Sequence, residues 1–152
     1  ARSTASYVAS ACGLTPVFDP RLREYSLGPR EGLFHHEFEA QAPEEYARFI
    51  RADWDAVSGA ERRAEVEARM TAALSEVADA VPADGVALVV SHGAAIRTGV
   101  AALLGWSSEE ALTLHGMDNC GYAVLRRAVP DAPWRLRAYN RTVAISTDTP
   151  SE

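Results

Sequence analysis

The 152-residue sequence has no apolar run near the roughly 18 residues that a membrane-spanning helix needs, and its run Val86 to Val90 is only of strand length. No helical membrane span is expected. Basic charge is also scarce. Lys and Arg number 15 against 21 Asp and Glu, a net charge of -6, so a general nucleic-acid binder with a basic face is not expected. A small anionic substrate at a locally basic site remains compatible with that balance. The only cysteines are Cys12 and Cys120, and neither has the close partner cysteine of a zinc site or redox pair. They read as two packed thiols in a reducing cytoplasm. A Gly-x-Ser-x-Gly elbow is missing as well, which argues against a serine hydrolase even though Ser91 follows an apolar run.

What is present fits one domain over residues 1–145, followed by a polar tail at 146–152. Ala5, Val8 and Cys12 share one face of an opening helix that should stop at Gly13, and Thr15 to Phe18 reads as a short extended segment. No Ser, Thr, Asp or Asn precedes that helix to cap it, so the sequence is expected to start inside a longer chain. Residues 21–34, with Gly28, Pro29 and Gly32, lack any sustained period and predict an irregular loop. Pro43 suits a helix start, with Tyr46, Phe49 and Ile50 as its apolar stripe. A longer helix over about 61–81 has Val66, Met70, Leu74 and Val77 as its buried face. The charged residues of Glu61-Arg62-Arg63 and Glu65-x-Glu67-x-Arg69 read as its solvated side.

After the turn Pro82-Ala83-Asp84-Gly85, the unbroken run Val86 to Val90 has the pattern of a central parallel strand covered on both faces. Ile96, Val100, Leu103 and Leu104 then define a helix ending at Gly105, and Ser107 to Glu110 matches a capping box. Residues 120–127 and 134–139 read as a hairpin. The order implies an α/β protein, a three-layer α/β/α sandwich with a mixed, mostly parallel sheet, and too few strands for its helices. Its first strands are expected to be missing from this chain.

The chemistry concentrates at two places. Ser91-His92-Gly93 puts a histidine at the carboxyl end of a buried strand and just before a helix, where ligands of open α/β sheets bind and where unpaired N–H groups favour an anion. Glu24 lies in the glycine-punctuated loop, where a carboxylate can serve as general acid or base or can be a solvated charge.

These residues resemble the histidine phosphatase superfamily, the phosphoglycerate-mutase-like phosphatases. Val-Val-Ser-His-Gly at 89 to 93 is similar to the family's second-histidine motif, and Leu22-x-Glu24-x-x-x-Gly28-x-x-Glu31-Gly32 to its acidic motif. Ala1-Arg2-Ser3-Thr4-Ala5 resembles the tail of its Arg-Ala-x-x-Thr-Ala helix start, and Gly59-x-Glu61 and Asn119 follow in the family's order. The resemblance implies a phosphomonoester hydrolase working through a phosphohistidine intermediate on a small phosphorylated metabolite. His92 would contact the phosphoryl oxygens, and Glu24 would protonate the leaving alcohol and later deprotonate water. Gly93 and Ala94 would offer backbone N–H groups, and Tyr25 and His35 would face the substrate. No cofactor or metal is implied.

The family's nucleophile sits in Arg-His-Gly, which occurs nowhere in these 152 residues. It is expected upstream of Ala1 on an apolar strand, so the printed residues alone are expected to be inactive. A noncatalytic family member used for binding or structure is the rival from another class. Within the enzymes, the compact span from Glu24 to His92 favours phosphatase over phosphoglycerate mutase, and the Met117-x-Asn119 to Trp134-Arg135-Leu136 ending resembles actinobacterial phosphatases of sugar phosphoglycerates. A metal hydrolase using Glu31, His35, His36, Glu37 and His115 is disfavoured, because adjacent His35 and His36 face apart on a helix or strand. The remaining expectations are a cytoplasmic protein, no membrane or nucleic-acid partner, and a homodimer as the assembly to test.

Overall fold

The computed structural model describes residues 1–82 and 84–143; the tail expected at 146–152 lies outside them. In chain order the helices are α1 (Arg2–Ala11), α2 (His35–Gln41), α3 (Pro43–Phe49), α4 (Arg63–Ala80), α5 (Gly93–Leu103) and α6 (Ser108–Leu112), followed by strands β1 (Tyr122–Arg126) and β2 (Arg135–Arg141). Helices combined with an antiparallel pair make this an α/β chain, and β1–β2 is the only sheet among the described residues.

The core forms where α4 meets α5. Val66, Met70 and Ala73 are spaced three and four residues apart on α4, so they share one face, and all are buried. The facing surface of α5 carries buried Ala95, Thr98, Gly99 and Val100. Gly99 sets the approach distance, because a Cβ there would stand 3.1 Å from Met70 Cβ and 3.2 Å from a Leu74 methyl. Complete burial of side chains such as Val66 and Met70 contributes about 1.5–3 kcal/mol each. Leu22, Tyr25 and Trp54 pack over the same cluster, which lays the glycine-punctuated loop directly on the helix pair.

Both late strands form as expected and pair antiparallel, Leu125 opposite Leu136 and Arg126 opposite Arg135, with register irregularities between Tyr122 and Leu125. Arg127 ties this hairpin to α4 through an ion pair with Asp79 and lies 4.9 Å over the Trp134 ring. The capping box at Ser107 is present: its hydroxyl accepts from Glu110 N–H while the Glu110 carboxylate accepts from Ser107 N–H.

Three expectations need correction. Residues 86–90 belong to no strand among the described residues, and Val86 is 95% and Leu88 63% exposed rather than covered. A strand is a hydrogen-bonded partnership, and no described segment runs beside this one to supply the ladder. Second, a helix precedes the one that Pro43 signals: α2 begins at His35, directly after the loop. Its first turn holds because Glu37 reaches back to accept the Phe34 N–H at 2.8 Å, an interaction that compensates for poor local propensity. Third, Cys12 and Cys120 are not packed thiols. Both are exposed, Cys12 at the end of α1 and Cys120 in a turn at φ 60°.

Candidate active site

The chain direction at the end of the 86–90 segment is fixed by Ser91, whose hydroxyl donates to Leu22 C=O at 2.6 Å. His92 follows in extended conformation as the residue preceding α5, and its side chain makes no capping hydrogen bond, so the ring is not committed to holding the helix. The Glu24 carboxylate meets the same helix end. It accepts from Ala94 N–H at 3.2 Å, Ala95 N–H at 2.8 Å and its own neighbour Tyr25 N–H at 3.1 Å. Helix-start N–H groups and the positive end of the helix dipole both favour a negative charge there. Four of the expected residues, Glu24, His92, Gly93 and Ala94, therefore converge on one helix N-terminus.

The helix end is used differently from the expectation in one respect: the Ala94 N–H points to Glu24, whereas Gly93 N–H donates to nothing among the described residues. Met117 covers this point, its Cβ 3.6 Å from where a Gly93 Cβ would be. Tyr25 faces away from the carboxylate into the core; it is 8% exposed, its hydroxyl is 2.8 Å from Thr98 Oγ1, and burial pushes its phenol up. His35 lies in an aromatic group on α2 and α3, with Nδ1 3.2 Å from Tyr46 Oη and its ring against Phe49.

The loop that presents Glu24 is held by a pair that the charge pattern hid. Arg69 donates from Nε and Nη2 to the two Glu61 carboxylate oxygens at 2.8 and 2.9 Å. The same guanidinium donates to the carbonyls of Arg21, Arg23 and Glu24 at 2.6, 2.8 and 3.1 Å. Side-chain exposure is 10% for Arg69 and 9% for Glu61, so these two are not the solvated face assigned to them. Arg62 and Glu65, from the same charged run, are exposed as expected. An unbroken helical periodicity places Arg69 beside Val66 and Ala73, three residues back and four ahead, and that proximity was the available signal.

Two glycines let the loop seat against this pair. Gly28 is at φ 54°, and a Cβ on it would come 2.2 Å from Gly59 C=O; Gly59 is at φ 75° against the Pro29 ring. The close approach brings Ser26 and Glu61 together, with Glu61 N–H donating to Ser26 C=O at 2.7 Å. Glu31, the second acid of the motif, accepts from Ser26 hydroxyl at 2.6 Å and Leu27 N–H at 3.2 Å, closing the loop from its other side.

Burial by itself would push the Glu61 carboxyl up, but Arg69, the Ser26 N–H and Arg23 outweigh it and hold the group below the usual carboxylate range. Such a group adds stability above its unfolded-state value, about 4.3, and loses it as pH falls through the lower folded-state value. Thermal unfolding followed from pH 6 to pH 3 should thus show a falling Tm. Glu61→Gln should start lower at pH 6 and give a shallower decline, whereas an unchanged slope would remove Glu61 from the titration.

A histidine free of capping duties and a glutamate seated on the same helix start define a histidine-and-carboxylate site on an α/β chain. The chain belongs to the histidine phosphatase superfamily (branch 1), whose family model matches residues 1–142. The probable phosphoglycerate mutase GpmB of Yersinia pestis is 33% identical over 138 residues, covering 88% of this chain; the chain spans about 60% of that relative's length. Among solved structures, mycobacterial hydrolase 2 superposes with a TM-score of 0.83 at 29% identity, over 97% of this chain and 69% of the other. The mycobacterial glucosyl-3-phosphoglycerate phosphatase in complex with inorganic phosphate gives 0.79 at 33% identity, over 93% and 72%. No described helix is long and apolar enough to cross a membrane, and no group of three or more His, Cys, Asp or Glu is placed to hold a metal ion among the described residues.

Proposed function

We propose that these residues form part of a phosphatase that cleaves a small phosphomonoester through a phosphohistidine. The observation that carries this reading is the seating of Glu24 on the helix end that His92 begins. The nucleophilic imidazole comes from outside the 152 residues, which contain no Arg-His-Gly. In the first step its nitrogen forms a bond to phosphorus as the bond to the alcohol oxygen breaks, and Glu24 gives that oxygen a proton. Water then attacks phosphorus, Glu24 takes its proton, and the P–N bond breaks to release inorganic phosphate. His92 bears on the phosphoryl oxygens throughout, joined by the unengaged Gly93 N–H. Ala94 serves at one remove, through Glu24. Tyr25 supports the acid from the core side and His35 sits toward the substrate rim.

The finer architecture follows from the same reading: a three-layer sandwich in which residues 86–90 join a mostly parallel sheet with strands from the rest of the protein. Likeness to the mycobacterial glucosyl-3-phosphoglycerate phosphatase favours a phosphorylated glycerate as substrate class; a cytoplasmic location is part of the same proposal. The Yersinia relative favours the mutase as second reading. Incubating 3-phosphoglycerate and glucosyl-3-phosphoglycerate with protein that carries the nucleophile separates them: inorganic phosphate release supports the phosphatase, and isomerisation without release supports the mutase.

The acid has its own signature. Glu24→Gln should depress hydrolysis of alkyl phosphates, whose alkoxide needs a proton, by about 10²–10⁴-fold. Nitrophenyl phosphate, with a leaving group that needs little protonation, should suffer far less. Equal losses on both substrates would reject Glu24 as the acid.

A further inference from the structure

On the far side of Tyr25 from Glu24 lies a cavity of about 260 Å³, walled by Tyr25, Trp54, Arg63, Arg97, Thr98 and Leu112. Neither His92 nor Glu24 lines it. Its charges are unbalanced in their hydrogen bonding. Arg97 is half-buried, and its guanidinium has no hydrogen bond and no carboxylate within ion-pairing distance among the described residues; it lies 5.6 Å over the Trp54 ring. Arg63 spends Nε on Glu67 at 2.6 Å, while its Nη2 is buried with no partner. The acids at the rim are already engaged: Asp55 accepts the Arg63 backbone N–H at 2.6 Å, and Asp53 pairs with Arg48 at 3.0 Å. Arg51 adds a third guanidinium at the edge.

A cation taken partly out of water without a counter-charge, as at Arg97, costs free energy that an anionic ligand would recover. Guanidinium groups match the planar fork of a carboxylate and the oxygens of a phosphate. Trp54 supplies a flat apolar wall that is itself fixed, its indole N–H donating to Phe49 C=O at 3.1 Å. We propose that this cavity is a binding site for a small oxyanion, a carboxylate or phosphate group carried by a compact molecule, received by Arg97, with Arg63 in the wall, and lying against Trp54. The volume falls below the roughly 300 Å³ at which drug-sized pockets begin, which limits the ligand to a compact one. The site is separate from the proposed hydrolysis and does not rest on it.

Inorganic phosphate and benzoate are the probes, titrated into the chain at ionic strength held constant with chloride and followed by calorimetry and tryptophan fluorescence. Saturable binding of at least one is expected, with a dissociation constant on the order of 1 mM. Binding of phosphate alone assigns a tetrahedral anion, of benzoate alone a carboxylate stacked on the indole, and of both the shared chemistry. His92→Ala should keep the binding, Arg97→Gln should weaken it at least about tenfold, and Arg97→Lys should retain part of it. Phenylglyoxal labelling of the unaltered chain, read by peptide mass, needs no variant: the bound anion should protect Arg97 and leave exposed Arg62 reactive. Absence of saturable binding, loss of binding in His92→Ala, full binding in a folded Arg97→Gln, or equal protection of Arg62 would each overturn the site.

Discussion

Replacing His92 by alanine in protein that carries the nucleophile should lower turnover by about 10²–10³-fold, the loss typical of removing one group that meets developing charge in a transition state. The fold should hardly notice. The imidazole makes no capping hydrogen bond, and the backbone contact that starts α5, Ile96 N–H to His92 C=O at 2.8 Å, survives the substitution. Stability should stay within about 0.5 kcal/mol of the parent, as for substitutions away from cores, caps and networks. The combination is diagnostic: a collapse of kcat at nearly constant Tm assigns His92 to chemistry, whereas parallel losses assign it to structure. Near-normal turnover would reject the proposed mechanism.

Arg69→Met should produce the opposite pattern, with a loss of about 2–3 kcal/mol in urea unfolding, because it takes from the mostly buried Glu61 carboxylate the guanidinium that grips both its oxygens and leaves only Arg23 and the Ser26 N–H as partners. Three backbone carbonyls, of Arg21, Arg23 and Glu24, lose a donor at the same time. Arg69→Lys should fall between parent and methionine, since an ammonium cannot reproduce the planar fork that grips both Glu61 oxygens. Where the chain retains its fold, the proposed mechanism expects kcat to fall more than KM rises, because Glu24 is displaced while the α5 start stays. A loss below about 1 kcal/mol would mean that the loop is held by its other contacts, Glu31 and Ser91 among them.

The parts of this arrangement that periodicity governs were legible in sequence. Val66 and Met70 marked the buried face of α4, and the residues after His92 marked α5, because burial on a helix repeats every three or four residues. Glu24 and His92 were legible through local patterns at a loop and a strand end, and the fold brings them to one helix terminus. Arg69 was not, since charge is normally solvated and only the return of a loop 45 to 48 residues away gives its guanidinium buried acceptors. The same limit hid the cavity, whose walls come from the 25 loop, the turn at Trp54, α4, α5 and α6. The exposure of Val86 and Leu88 marks the converse case: an apolar run signals covering but carries no record of the segment that would supply it, and no described segment does.

The separations closed by Arg69 and Glu24 also bear on the order of assembly. Each helix can begin to form from contacts within a few residues, yet Glu24 reaches Ala94 and Ala95 only across 70 and 71 positions of chain. Loop-closure entropy must be met before such contacts return anything, and docking of α4 through Arg69, over 45 to 48 positions, is the shorter closure, favoured by about 0.4 kcal/mol. A chain in which only α4 had docked would show part of its helical signal while Glu24 still stood free of the α5 start. Circular dichroism alone would not report whether that last contact had closed.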